Sequence, residues 1–325
     1  MRYALRRAGQ AAIVLIAAFT ATFILLQLLP GDAILIKFES PELGLTPEQI
    51  ADIRAAYGAD VPWWQQYFHT LGGYLQGDFG FSSQYGTPVL TLIGEALPAT
   101  AALAGLGFLV AAILAVSIAF LSTLARFAWL RSGLRALPGL FVSVPVFWLG
   151  ILLIQVFSFG LGWVPVIGAD PVQALILPVL TLAVPISAPL AQILVRSIDE
   201  VKLQPFVTVV EAKGASPSWV LWRSVARNAV LPTLTIAGVL FGELIGGAVV
   251  TETVFGRAGI GRLTEQAVAN QDIPVLQGIV VLAALTFVVV NLVVDLLYPV
   301  LDPRLRQGSR AARPQSAQTP VEAIA

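Results

Sequence analysis

Six runs of about twenty residues, almost free of charge, dominate this 325-residue sequence. They can be read at 9–29, 98–122, 137–160, 173–195, 230–251 and 275–298. A bilayer core about 30 Å thick takes roughly 20 apolar residues per helix, so each run is long enough to cross one. Only 12% of the chain is charged, 57% is hydrophobic and the mean hydropathy is +0.83. Soluble domains carry about twice that share of charge, and so few charges cannot clothe a water-soluble fold of this size. The expected fold class is an all-α membrane protein with six transmembrane helices. With 28 Gly and 21 Pro, many inside the apolar runs, those helices should be kinked and closely packed.

The first run follows Arg2, Arg6 and Arg7 and could be mistaken for a secretory leader. A leader's apolar core is roughly 7–15 residues long and ends in a small-residue cleavage site. Ala8 to Leu29 is longer and runs into Pro30-Gly31-Asp32, so a retained anchor is expected. Orientation follows from Lys and Arg in the loops. With the N-terminus inside, 15 of the 19 basic residues are cytoplasmic, and only Lys37, Arg54, Arg257 and Arg262 fall outside. Both termini are therefore expected in the cytoplasm.

This divides the chain into a first span (1–29), an extracytoplasmic segment (30–97), a membrane core (98–299) and a tail (300–325). In the second part, Thr46-Pro47-Glu48-Gln49 has capping-box spacing and should start a helix running to about Tyr57, before Gly58. A second amphipathic stretch, Pro62 to Leu75, carries Trp63, Trp64, Tyr67 and Phe68, aromatics suited to a membrane interface or to a small packed cap. The tail, rich in Ala, Gln and Pro, reads as disordered.

The cytoplasmic loop 196–229 is too long for a simple connection. Its chemistry predicts a helix, a sharp break at Gly214, then a new helix capped by Ser216 with Pro217 at its first position. The chain should return to the membrane at Pro232. The second helix sets Trp219, Val220 and Trp222 beside Arg223 and Arg227. Such a helix can dock in another protein's groove or lie among lipid headgroups, and local chemistry leaves both open.

The loop resembles the coupling loop of permeases of ATP-binding-cassette importers, a Glu-Ala-Ala…Gly…Leu-Pro pattern. In the peptide-importer branch it takes the form Ala-Lys-Gly followed by Arg-Asn-Ala-Leu-Leu-Pro. Here stand Ala212-Lys213-Gly214 and Arg227-Asn228-Ala229-Val230-Leu231-Pro232. Further likenesses follow in order along nearly the whole chain. They are Leu28 to Asp32, Gly77-Asp78-Phe79-Gly80 with Ser82, Leu97-Pro98-Ala99-Thr100, Phe147 to Gly150 and Leu177 to Leu182. Gly246 to Val250 leads to Glu252 and Thr253-Val254-Phe255; Gly259 to Arg262, Asn291 to Tyr298 and Leu301 to Arg304 follow. The sequence departs from the branch at Phe206, Glu211 and Ser224, where Tyr, Arg and His are common. Glu211 restores the Glu-Ala form of the wider superfamily.

The resemblance implies a type I importer permease (MetI-like) architecture with a cytoplasmic coupling helix, in a bacterial inner membrane. The implied ATPase-coupling residues are Glu211, Ala212, Lys213, Gly214, Ala215, Ser216, Trp219, Arg223, Asn228 and Pro232. The implied partners are a second homologous permease, two cytoplasmic ATP-binding subunits and an extracytoplasmic substrate-binding protein. The implied substrates are di- or oligopeptides; other members of the family carry nickel chelates, glutathione or sugars.

Several chemistries find no support. No Gly-x-x-x-x-Gly-Lys-Ser/Thr occurs, so ATP should be bound elsewhere. The single histidine, His69, and the lack of cysteine leave no triad, thiolate zinc site or histidine pair. No catalytic residue, metal ligand or cofactor is expected, and zero formal charge gives no reason to expect a nucleic-acid partner. An ion-coupled carrier would need several mid-membrane carboxylates. Glu243, inside the fifth run, stands almost alone and is read either as a translocation-path residue or as a packing contact. Asp295 and Asn291 should contact neighbouring helices, and Gly242, Gly246 and Gly247 should allow close helix approach.

Overall fold

The protein is described by a computed structural model covering residues 2–27, 46, 48–49, 61–166, 168 and 170–301. Its helices are α1 (Arg2–Gln27), α2 (Trp63–Gln76), α3 (Val89–Leu124), α4 (Ala128–Ser143) and α5 (Val146–Leu153), which ends in a π-helical turn, Ile154–Gly160. There follow α6 (Gln173–Lys202), α7 (Pro205–Ala212) and the short α8 (Pro217–Trp219). A π-helical stretch, Val220–Val225, then leads into α9 (Ala226–Val254), followed by α10 (Ile260–Ala269) and α11 (Ile273–Leu301). Among the described residues the only β pairing is an isolated bridge, Phe81 to Pro88.

Five of these helices are long and apolar enough to cross a membrane, and a bent pair makes the sixth crossing. That pair corrects the expectation of one helix over 137–160. The chain turns by 104° between α4 and the α5 segment. Val144 is extended there (φ −94°, ψ 118°), because the ring of Pro145 disfavours helical backbone in the residue before it. The pair still traverses the bundle. Arg135 of α4 bonds Asp199 near one end of α6 at 2.9 Å, and Gly150 of α5 packs on Thr181 near the other. Eighteen helical residues separate Asp199 from Thr181, about 27 Å of rise.

Other boundaries also move. α3 begins at Val89, before the expected 98, and holds Pro98 inside it. α6 carries Pro178, Pro185 and Pro189 and runs on to Lys202. α1 covers the first run as far as Gln27; Leu28 to Asp32 and the tail beyond Leu301 lie outside the described residues. So does most of the helix expected to run to Tyr57, but its start is seen. Thr46 N donates to Gln49 Oε1 at 2.9 Å, and Gln49 N donates to Thr46 Oγ1 at 3.3 Å, the reciprocal pair of a capping box.

Close approach organises the centre. On α3, Ala104, Gly107, Ala111, Ala115 and Ala119 recur at three- and four-residue steps and all are buried, a stripe of small side chains that lets α6 come near. A Cβ at Gly107 would stand 3.0 Å from Leu182. Opposite the stripe, Ala183, Ala188 and Ala191 of α6 are fully buried. With little hydrophobic drive between helices in lipid, this contact rests on van der Waals packing of small residues. α2 lies along α1: Tyr67 packs edge-on against Phe19 and Phe23, and its hydroxyl bonds Thr20 Oγ1 at 2.8 Å. Trp63, Trp64 and Phe68 of the same helix are exposed. Burial raises the Tyr74 phenol above its ordinary range, which keeps it neutral.

Candidate functional site

The loop between α6 and α9 folds as its residues suggest. α7 stops at Gly214, whose φ of +85° suits glycine. Ser216 caps the next helix, its Oγ accepting from Trp219 N at 3.4 Å, with Pro217 in the first turn. The helix runs on through Pro232 without a break. Pro217–Leu244 forms one helical span, and Pro232 sits inside α9, so its absent N–H leaves one carbonyl a turn earlier without its helical donor. The π-helical turn Val220–Val225 lies where this rod meets the bundle, a distortion frequent at functional sites.

The segment is anchored on one side and bare on the other. Val207, Val220, Leu221, Val225 and Ala229 are buried with Ala119 and Phe120 of α3 and Leu194 and Ile198 of α6, and Ala215 packs at the edge of this cluster. Glu211, Ala212, Lys213, Gly214, Ser216, Trp219, Arg223, Asn228 and Pro232 are all exposed. Asn228 Nδ2 donates to Ser224 O at 3.0 Å, within the helix. Trp222 is 60% exposed although its ring lies 4.4 Å from that of Phe120. The result is a rigid hairpin with aromatic and basic groups turned away from its own core.

Along α9, Pro232, Thr235, Val239, Glu243, Gly246 and Val250 are exposed at steps of three and four, one face of the helix. The adjoining face, Ala229, Leu240, Leu244 and Ala248, is buried. Glu243 thus sits mid-helix on a face that no other described residues of this chain cover. The three expected packing glycines divide: a Cβ at Gly242 would meet Phe287 at 2.9 Å and one at Gly247 would meet Leu182 at 2.9 Å, whereas Gly246 has open space. On α11, Asn291 Nδ2 bonds its own helix at Phe287 O, 2.8 Å; the Asp295 side chain lies outside the described residues.

At the other end of the bundle, sequence reasoning missed a buried network. Glu252 is fully buried. Its Oε1 accepts from Thr100 Oγ1 at 2.6 Å, and its Oε2 accepts from Gly261 N at 2.7 Å and Arg262 N at 3.3 Å. Thr100 Oγ1 in turn accepts from Ile260 N at 2.8 Å. The carboxylate therefore caps α10, where the helix dipole favours negative charge. A Cβ at Gly259 would overlap the Glu252 carboxylate, and one at Gly261 would overlap Val249 backbone. Asp272, 1% exposed, ties the loop before α3: Ser82 Oγ donates to its Oδ2, and Ser83 N donates to Oδ1 at 3.1 Å. Motifs far apart in sequence thus meet around α10. Both acidic residues are visible in the sequence, but nothing local names Thr100 or Ser82 as their partners.

Residues 107–307 match the family described as binding-protein-dependent transport system inner membrane component, and residues 1–104 match the N-terminal part of such membrane components. The chain belongs to this family of multi-pass inner-membrane permeases, whose members are not themselves catalytic. It is similar to a peptide transport system permease protein of Brucella abortus (strain 2308), 37% identical over 93% of this chain and 98% of that one. It is 36% identical to the glutathione transport system permease protein GsiC of Escherichia coli (strain K12) over 87% of this chain and 92% of that one. Among solved structures, an inward-facing MetNI methionine ABC transporter superposes with a TM-score of 0.56 at 17% identity, over 65% of this chain and 96% of the other. That likeness shows the fold.

Proposed function

We propose that this chain is one of two permeases of an ATP-driven peptide importer, with the hairpin 205–232 transmitting the work of separate ATPases. The observation that carries the reading is the hairpin itself. One face is locked to α3 and α6 through Val220, Leu221 and Val225, while Trp219, Trp222 and Arg223 stand exposed. A lever needs both, a rigid root and a free contact surface. ATP-driven closure of the paired ATPases would draw the hairpins together and swing the bundle between its two openings as a rigid body. An extracytoplasmic binding protein would deliver the cargo.

The orientation rests on charge. Arg135, Arg196, Lys202, Lys213, Arg223 and Arg227 gather at the hairpin end, and Arg257 and Arg262 alone of the described basic residues stand at the other. The hairpin end is therefore cytoplasmic. Peptide cargo is favoured by the relatives named for peptide and for glutathione, itself a tripeptide. The exposed face of α9 is the candidate path, because a carboxylate such as Glu243 costs a few kcal/mol against lipid and faces a cavity or a partner instead.

The test is ATP-dependent uptake of labelled trialanine by membrane vesicles holding the assembled importer. Glu243→Gln should change uptake of free peptides while leaving the amount of assembled complex unaltered. Wild-type rates for every peptide tried would remove Glu243 from the path.

A further inference from the structure

A second chemical feature lies at the mouth of the bundle opposite the hairpin. A cavity of about 410 Å³ opens between Ala99 of α3, residues 164–166 and the start of α6, and the turn after α9. Its walls include Ala99, Val164, Leu177, Pro178 and Phe255, and its only charged lining residue is Arg257. Arg257 is half-buried. One of its five donors is used, Nη1 to Ala174 O at 3.2 Å. Its Nε is buried without a partner. No carboxylate pairs with it among the described residues, whose ion pairs join Arg135 to Asp199 and Arg196 to Glu200.

A half-buried guanidinium with a buried, unbonded Nε and no counter-ion is unfavourable, and an anion would complete the arrangement. Its planar fork matches a carboxylate. A single cation with apolar walls suits a monoanion bearing an apolar group better than a doubly charged phosphate. The volume falls within the roughly 300–1,000 Å³ usual for small-ligand sites, more space than one carboxylate side chain of a docked protein requires. We infer that this cavity is an entry subsite that takes the terminal carboxylate of a short peptide on Arg257, with the neighbouring side chain against the apolar wall. The inference rests on the peptide-importer reading above and adds a residue-level handle for cargo on the outer side.

The test uses the full chain, with its copurifying subunits, in lipid nanodiscs and two probes, N-acetyl-trialanine and its C-terminal amide. Acetylation removes the ammonium group, so Glu243 does not enter the comparison. Titration calorimetry should find the acid bound at least about tenfold more tightly than the amide, the loss expected when a charge-assisted hydrogen bond is removed. Arg257→Gln should erase that preference and Arg257→Lys should keep part of it. Ala99→Leu, which narrows the cavity without changing charge, should weaken the acid in wild-type background and serves if Arg257→Gln fails to assemble. Equal binding of acid and amide, or no binding of either, overturns the subsite. So does an Arg257→Gln variant that keeps the preference, or one that loses only binding-protein docking. If ATPases still copurify in any of these cases, the importer reading stands while the subsite falls.

Discussion

Glu252→Ala is the most informative perturbation of the fold. The wild-type carboxylate accepts three donors in a site with no solvent exposure. Truncation leaves the N–H groups of Gly261 and Arg262 without that acceptor, at about 1–3 kcal/mol each. The Thr100 hydroxyl can rotate to another acceptor, but the lost side chain also opens a void beneath Gly259. The total comes to about 3–5 kcal/mol, an apparent melting-point drop on the order of 10 °C for a domain of a few hundred residues. Glu252→Gln keeps the shape and an acceptor for the two N–H groups, and only the Thr100 proton loses its place, for about 1 kcal/mol. Thermal unfolding in mild detergent, followed by size-exclusion of the surviving species, measures both. An alanine variant within about 0.5 kcal/mol of wild type would refute the claim that this carboxylate holds α10 to α3.

Two further changes test local claims. Ser216→Ala should cost about 0.5–2 kcal/mol of local helix stability, seen as faster amide exchange at Trp219 with little change at Leu240. Asp272→Ala should release the loop before α3, exposing the Ser83 N–H that Asp272 now accepts; unchanged exchange there would mean the loop is held by packing alone.

The hairpin was readable in advance because its signals are local. Gly214 for a positive φ, Ser216 for a cap and Pro217 for the first turn lie within four residues, and each acts through its own backbone. The bend at Val144-Pro145 was not read, although the proline is visible, because hydropathy over 137–160 counts apolar residues and is blind to their direction. The outer network was not legible for another reason. Thr100 and Glu252 are 152 residues apart, and only the folded chain brings them together. Likeness to a family picks out Gly259 and Gly261, but the reason, a carboxylate and a backbone pressed against their missing side chains, is a fact of packing. Arg257 counted in the sequence only as one of four outer basic residues; its unpaired, half-buried state appears only with the cavity around it. Glu243 was found as an isolated acid in an apolar run, and its exposed face on α9 suits either a translocation path or a contact with a partner helix.

The central claim is that separate ATPases dock on the hairpin beyond Gly214. The direct test is a mild-detergent pull-down of the tagged chain from its native membrane, with copurifying proteins identified by mass spectrometry, for wild type, Gly214→Ala and Gly214→Trp. Both variants carry the backbone strain of a φ of +85°, and neither meets another atom of the described residues at its Cβ, so only the tryptophan adds bulk at the docking face. The account predicts a second permease and two nucleotide-binding proteins with wild type, ATPases largely retained with alanine and lost with tryptophan. Full ATPase recovery with Gly214→Trp, or a wild-type chain recovered alone while a control transporter stays assembled, would contradict it.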